Sequence, residues 1–194
     1  MEVIHRLFNN AILRMIFLKL RYVLVVALMV LISYYMFPER LAPGFIVSMF
    51  GQFIQVWSFA ALIKNEELTA RGPYVMVRNP MYLGRYFLIL GFLVLFDNVY
   101  VLLAYTVIYY FYMVNRVQRE EKRLTGLLGE AYLNYQKITP RFLPRFDRLF
   151  RKAVWFFSWS VLVRNNGQWN LLSTVGLWAI IVLAGMAQGI IQLN

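Results

Sequence analysis

Residues 71–84 read Arg-Gly-Pro-Tyr-Val-Met-Val-Arg-Asn-Pro-Met-Tyr-Leu-Gly and separate two strongly apolar parts of the chain. Gly72-Pro73 and Asn79-Pro80 each indicate a turn, because proline fixes its own φ and disfavours the helical conformation in the residue before it. Apolar sequence resumes at Met81, so we expect a helix to begin at Pro80, where a missing N–H is tolerated. The start of that helix, beside arginines and tyrosines, favours binding of a charged small molecule.

The composition predicts an all-α integral membrane protein. Hydrophobic residues make up 61% of the 194 residues and charged residues 15%, which is far from the usual composition of a soluble domain. Residues 1–21 mix apolar side chains at helical spacing with arginine and lysine, and therefore predict an amphipathic helix in the membrane interface that ends near Arg21.

Five apolar runs predict about five transmembrane helices, since a bilayer is spanned by about 20 apolar residues. The third and fourth runs are short and are joined by Asp97-Asn98, so we expect a helical hairpin that does not cross the membrane squarely. Gln52 and Gln55 lie inside the second run, where we expect their amides to face other helices. The runs are residues 22–37, 44–63, 82–96, 99–114 and 171–191.

The basic residues predict the orientation. They are concentrated in the N-terminal segment, in residues 64–79 and in residues 115–152, which places the N-terminus and both loops on the cytoplasmic side. We expect the basic run Arg145, Arg148, Arg151 and Lys152 to lie at the membrane interface. The net charge of +11 thus indicates anionic headgroups, and nucleic-acid binding is disfavoured because no separate basic domain exists.

The sequence disfavours metal and thiol chemistry. It contains no cysteine and a single histidine, His5, so a cysteine site is excluded and a multi-histidine metal site has no ligands. We expect His5 to be an interfacial surface residue, and we predict no metal site.

The predicted hairpin brings two polar segments together on one face of the membrane. Its two ends must be adjacent, so Arg78, Asn79 and Tyr82 should lie close to Arg116, Glu120 and Glu121. Arg116 and Glu120 are four residues apart and share one helix face. An ordinary surface ion pair would also explain that spacing, but the carboxylates emerge beside an apolar wall and opposite the turn-rich segment, which makes it a weaker explanation.

Several motifs follow one another in a fixed order: Gly72-Pro73-Tyr74, residues 77–84, Glu120-Glu121, Leu124, residues 129–132, Tyr135, Pro140 and Leu143-Pro144. Together they resemble the isoprenylcysteine carboxyl methyltransferase family, which is grouped with the membrane phospholipid methyltransferases. The resemblance covers residues 64–146 and suggests three parts: 1–63 with the interfacial helix and two membrane helices, 64–146 as the core, and 147–194 with an interfacial segment and a last membrane helix.

The resemblance implies S-adenosylmethionine as the methyl donor, bound in a small pocket on the cytoplasmic face. It implies that Glu120 and Glu121 meet the amino group of the cofactor, that Arg116 faces the acceptor, and that Arg116, Glu121 and Arg78 form the catalytic set. Asn79 stands where the eukaryotic pattern has histidine, and an amide cannot act as a base. The other implied cofactor residues are Gly72, Tyr74, Val77, Arg78, Asn79, Pro80, Tyr82, Leu83 and Gly84.

The implied reaction is methyl transfer to a lipid-embedded acceptor, favoured as the C-terminal carboxylate of a prenylated cysteine. Transfer from a sulfonium to a carboxylate neutralises two charges, and a dry site at the membrane favours it. The alternative acceptor is a phospholipid amine, which would require a nearby base. A hypothesis of another class is a non-catalytic transporter or scaffold, which would explain the apolar runs but not the ordered polar motifs.

Overall fold

The computed structural model describes residues 10–64 and 67–191. His5, the first part of the predicted interfacial helix and the N-terminus lie outside the described residues. The described part of the chain is helical and forms no strand, which confirms the all-α class. Its α-helices are α1 (Ala11–Tyr35), α2 (Leu41–Ala61), α3 (Pro80–Val94), α4 (Val99–Leu128), α5 (Glu130–Ile138), α6 (Trp159–Arg164) and α7 (Gly167–Ala187).

The chain divides into two compact units. The first consists of Met1–Ser48, Ile89–Arg116 and Val175–Asn194, and the second of Met49–Leu88 and Val117–Thr174. The second unit therefore contains the motif segment 71–84 together with Glu120 and Glu121.

Glycines allow α2 and α3 to approach closely within each unit. In the second unit, a Cβ added to Gly51 would lie 2.3 Å from the Leu88 nitrogen, and one added to Gly84 would lie 2.8 Å from the Gly51 oxygen. In the first unit, a Cβ on Gly91 would lie 2.4 Å from the Ser48 nitrogen. Small residues at such positions let helix backbones pack directly, as is common between membrane helices.

Polar side chains of α2 hold α7 in both units. In the second unit, Gln52 Nε2 donates to Asn170 Oδ1 at 3.0 Å and Thr174 Oγ1 donates to Gln52 Oε1 at 2.9 Å. In the first unit, Trp178 Nε1 donates to Ser48 Oγ at 3.0 Å. The prediction that Gln52 faces another helix is confirmed, and the C-terminal helix is packed rather than a detached anchor.

The hairpin has the predicted local signals. Helix α3 begins at Pro80, and Asn98 Oδ1 accepts from the N–H groups of Tyr100 and Val101 at the start of α4. Helix α4 continues to Leu128 and stops at Gly129, whose φ of 55° is left-handed and suits glycine.

Two expectations about the helices change, and a third stays untested. Helix α1 runs without a break from Ala11 to Tyr35, so the predicted boundary near Arg21 was wrong, because arginine and lysine are good helix formers and do not interrupt the backbone. The interfacial segment after residue 147 is divided between a 3-10 turn, Lys152–Trp155, and the short α6. Among the described residues, two helices are long and apolar enough to span a membrane, Pro38–Ala61 and Gly167–Ala187, so five membrane helices remain a prediction.

Replacing Gly51 with alanine should destabilise the second unit, because the added Cβ would meet backbone atoms of α3 that cannot rotate away. We expect Gly51→Ala to lower the free energy of unfolding by about 1–3 kcal/mol, measured by thermal unfolding in detergent. Gly126→Ala is the matched control: nothing lies within 4 Å of its added Cβ, so a gain of about 0.5–1 kcal/mol is expected inside the helix. Equal stability of the two variants would contradict the close packing.

Candidate active site

The segment before α3 begins with a glycine that no other residue could replace without strain. Gly72 has a φ of 59°, in the left-handed region, and a Cβ there would lie 2.6 Å from Ala61 Cβ. Residues Gly72–Val75 then form a buried 3-10 turn. The structure therefore gives Gly72 a conformational role, and its predicted role in cofactor binding remains a prediction.

Three consecutive carbonyls of this segment are fixed by residues 135–148. The Tyr135 hydroxyl donates to the Tyr74 carbonyl at 2.6 Å. Arg148 Nη1 donates to the Val75 carbonyl at 2.8 Å, and the Arg145 N–H to the Met76 carbonyl at 3.0 Å. The conformation of the motif segment therefore depends on a part of the chain about 60–70 residues away, as the positions of these partners show.

Arg148 is a structural cation that the sequence analysis placed wrongly. Only 6% of the residue is exposed, and its guanidinium also donates to Thr139 Oγ1 at 3.2 Å and to the Ile138 carbonyl at 2.6 Å. Burial lowers the pKa of Arg148. The expectation of an interfacial side chain failed because a run of basic residues carries no local signal that one of them turns inward.

Glu121 is the charged centre of the second unit. The residue is 3% exposed, and its Oε1 lies 3.1 Å from Arg78 Nε and 3.4 Å from Asn79 Nδ2. The prediction that Arg78 and Asn79 lie near the second glutamate is confirmed. The Arg78 Nε–H is buried and is not aimed at this oxygen, so the contact is an attraction between charges rather than a directed hydrogen bond, while Nη1 donates to the Gln136 carbonyl at 3.0 Å.

Arg141 is the second cation on Glu121, and sequence reasoning missed it. Its Nε and Nη2 donate to Glu121 Oε2 at 3.0 and 2.6 Å. Asn79 Nδ2 also donates to the Arg141 carbonyl at 3.3 Å. Arg141 follows Pro140 in the irregular segment after α5, and its only sequence signal is a basic residue inside the region of family resemblance.

The remaining predicted site residues differ in burial, in ion pairing and in the unit to which they belong. Glu120 is half-buried and forms no ion pair within the described residues. Arg116 occupies an exposed position of α4 in the first unit, and its predicted role toward the acceptor remains a prediction. Val77 and Pro80 are buried, Tyr82 and Leu83 are half-buried, and Gly84 packs against α2; their roles toward a cofactor remain predictions.

The tyrosines of the site are held neutral. Burial raises the pKa of Tyr74 and Tyr135, and it raises the pKa of Tyr132 to about 12. Glu121 contributes to the shifts of Tyr132 and Tyr135, because a nearby negative charge disfavours a phenolate. None of the three phenols can therefore act as a base near neutral pH.

The described residues contain no group of three or more histidine, cysteine, aspartate or glutamate side chains that could hold a metal ion. The site is instead an arginine-rich cluster at the start of an apolar helix. Together with the apolar helices α2 and α7, it defines the class: a helical membrane protein with a charged site formed by polar segments.

The chain belongs to the phospholipid methyltransferase family, whose sequence model matches residues 22–131. It is also similar to protein-S-isoprenylcysteine O-methyltransferases. The protein of Xenopus laevis is 30% identical over 113 residues, covering 52% of this chain and 39% of that protein. The Schizosaccharomyces pombe protein is 30% identical over 81 residues, covering 42% and 34%.

The human protein of the same name is 29% identical over 92 residues, which cover 45% of this chain and 32% of that protein. The chain thus matches less than two-fifths of the length of each of these relatives. No solved structure matches the chain at a significant level. The suspected family is confirmed.

Removing the Glu121 carboxylate should destabilise the second unit strongly. Glu121→Ala would leave Arg78 and Arg141 without their anion, and Arg78 is only 10% exposed. Breaking a buried pair in this way costs about 3–5 kcal/mol, which thermal unfolding in detergent would measure. Asp147→Asn is the matched control, because it removes a carboxylate from the exposed Arg145–Asp147 pair, where little loss is expected.

A small loss in Glu121→Ala, comparable with that in Asp147→Asn, would contradict the buried cluster. Glu121→Gln keeps the shape of the side chain and should fall between the two.

Alkaline pH should unfold the protein through its buried tyrosines. The folded-state pKa values of Tyr74, Tyr132 and Tyr135 are raised above the ordinary value of 10.0, so the folded state retains protons that the unfolded state loses. This stabilisation is complete below about pH 10 and is lost as pH rises through the folded pKa values. Thermal unfolding between pH 8 and about pH 12 should show it, with a shallower loss in Tyr132→Phe; an unchanged slope would contradict the assignment.

Proposed function

We propose that this protein is a membrane methyltransferase that transfers a methyl group from S-adenosylmethionine to a lipid-embedded acceptor, favoured as the C-terminal carboxylate of a prenylated cysteine. The family and the names of the relatives support methyl transfer. The observation that carries the proposal is the buried Glu121 carboxylate between Arg78 and Arg141, beside the motif segment that the resemblance assigns to the cofactor.

Two polar groups of the site fit the methionine end of S-adenosylmethionine. Glu120 is a half-buried carboxylate without an ion pair in the described chain, which suits an ammonium group. The buried Arg78 Nε–H lies 3.1 Å from Glu121 Oε1 but makes no directed hydrogen bond to a described residue, so this arginine could also accept the carboxylate of the cofactor. Glu121 is surrounded by Arg78, Asn79 and Arg141, so its proposed role is to hold these side chains around the cofactor.

The site favours a carboxylate acceptor because it offers few bases. The charge of Glu121 is matched by two arginines, Asn79 cannot titrate, and Tyr132 and Tyr135 remain neutral at physiological pH. A carboxylate needs no base, since it attacks as an anion. A phospholipid amine is the alternative acceptor, supported by the description of the family, and Glu120 would then be the group placed to accept its proton.

When bound, S-adenosylmethionine supplies a methyl group on a positively charged sulfur. Glu120 and Arg78 would hold the methionine end of this cofactor, whose methyl would pass to an acceptor oxygen while the carbon–sulfur bonding pair stayed on sulfur as a neutral thioether. The arginines and Glu121 fix the geometry of the site, and positioning of this kind can account for a large part of a rate enhancement. Apolar surroundings exclude water, which favours a step that cancels opposite charges.

The proposed arrangement places the site on the cytoplasmic face, with the acceptor entering from the bilayer. The basic segments 64–79 and 115–152 support this side. About five membrane helices are proposed, of which α2 and α7 meet the length and hydropathy expected of a span.

Titration with S-adenosylhomocysteine should show saturable binding to detergent-purified protein, measured by calorimetry. Glu120→Gln should weaken this binding roughly 10- to 100-fold, because it removes the charge that would meet the ammonium group. Glu130→Gln is the matched control: it removes an exposed carboxylate from the first turn of α5 and should bind normally.

Absence of binding to folded wild-type protein would contradict the proposed donor and favour the non-catalytic alternative. If binding and turnover are found, the product separates the two acceptors, since a carboxylate gives a base-labile ester and an amine gives a stable N-methyl group.

A further inference from the structure

Helix α3 carries a charge inside an apolar sequence. Arg85 is the one charged residue among Pro80–Val94, and it is half-buried although it lies beyond the first turn of the helix. Ionisable side chains within apolar membrane helices are costly and usually serve a function, with an anion as partner. The Glu121 cluster does not involve this residue.

The other two arginines of residues 71–85 are already engaged. Arg71 donates from Nε to the Ala61 carbonyl at 3.1 Å and its guanidinium lies 4.2 Å from the centre of the Phe156 ring. Arg78 is paired with Glu121. By contrast, the guanidinium carbon of Arg85 lies 5.7 Å from the centre of the Tyr82 ring. Arg85 forms no ion pair in the part of the chain that the structure describes.

The contact with Tyr82 gives the direction of the Arg85 side chain. Tyr82 lies one turn nearer the start of α3, so the guanidinium extends back toward the end of the helix that carries Arg78 and Asn79. This is the direction that long side chains adopt on a helix. Its charge is therefore displaced toward the candidate active site, while its alkyl part lies along apolar surface.

We propose that Arg85 binds the carboxylate of the membrane-embedded acceptor and so selects acidic acceptors over neutral ones. The inference rests on the proposed function, and it gives Arg85 the acceptor role that the family resemblance assigned to Arg116. A guanidinium that is held in low dielectric, with no anion among the described residues as its partner, gains most from an anionic ligand. The phosphate of a lipid headgroup shares this chemistry and is the competing source of the anion.

The experiment compares two probes on the intact protein in phosphatidylcholine nanodiscs without methyl donor. One probe is farnesylated N-acetylcysteine and the other is its carboxamide, which has the same lipid chain and no charge. Wild-type protein should bind the carboxylate more tightly, and Arg85→Gln should weaken its binding roughly 10- to 100-fold while leaving the carboxamide unchanged. Arg151→Gln removes an exposed arginine of the same unit and should keep the preference.

Arg85→Lys provides the second variant if the glutamine variant does not fold. Lysine keeps the charge and loses the planar fork, so the preference for the carboxylate should shrink without vanishing. An unchanged preference in either folded variant overturns the proposal, as does equal weakening of both probes. Competition by added phosphatidylglycerol that depends on Arg85, combined with an unchanged probe preference, would assign the residue to a lipid phosphate and also overturn it.

Titration of the same samples with S-adenosylhomocysteine separates this inference from the proposed function. Loss of the carboxylate preference in Arg85→Gln, together with no cofactor binding in wild type, would retain the anion site and reject the methyltransferase. Normal cofactor binding in wild type, together with an unaltered probe preference in Arg85→Gln, would retain the proposed methyltransferase and reject the anion site at Arg85.

Discussion

The structure of the second unit depends on one buried negative charge. The Glu121 carboxylate lies on α4 and joins the motif turn through Arg78 to the segment after α5 through Arg141. A buried carboxylate is tolerated only when it is paired and hydrogen-bonded, so three distant parts of the chain must reach it together. The cations in turn require it, because either arginine alone would be left with an uncompensated charge. The family motif therefore has a structural role as the turn around this carboxylate, in addition to the cofactor role that we propose for it.

Local signals in the sequence predicted the elements that depend on local physics. Pro80 starts α3 because its ring favours the first helical position. The polar pair Asp97-Asn98 separates the two hairpin helices, and the structure adds that the Asn98 side chain accepts from two free N–H groups at the start of α4. The pairing of Arg78 and Asn79 with Glu121 followed from chain geometry, since a hairpin must bring its two ends together. The amide of Gln52, placed inside an apolar run, had to find partners on another helix.

Features that depend on distant partners could not be predicted in this way. Arg145 and Arg148 lie in one basic run, yet the first is exposed and the second is buried against the Val75 carbonyl. Nothing within the run distinguishes them, because the distinction arises from the position of residues 73–76. Likewise, Arg141 was not expected to share Glu121, because nothing in its local sequence indicates an acidic partner 20 residues away. Apolar composition also predicted about five membrane spans, of which two helices in the described part of the chain meet the length and hydropathy of a span. The others remain predictions, since a run of apolar residues marks burial without specifying how far the helix extends.

The contacts between residues 74–76 and residues 135–148 affect how the protein is made. A ribosome that has completed the matched residues 22–131 has not yet synthesised Tyr135 or Arg148. At that stage the carbonyls of Tyr74 and Val75 lack the hydrogen-bond donors that these two residues later provide. The site can close only after the helices on both sides of it have emerged, and closing so long a loop is slow compared with forming a helix. During this interval the motif segment would remain open to water and to chaperones, and C-terminal truncation would trap it in that state.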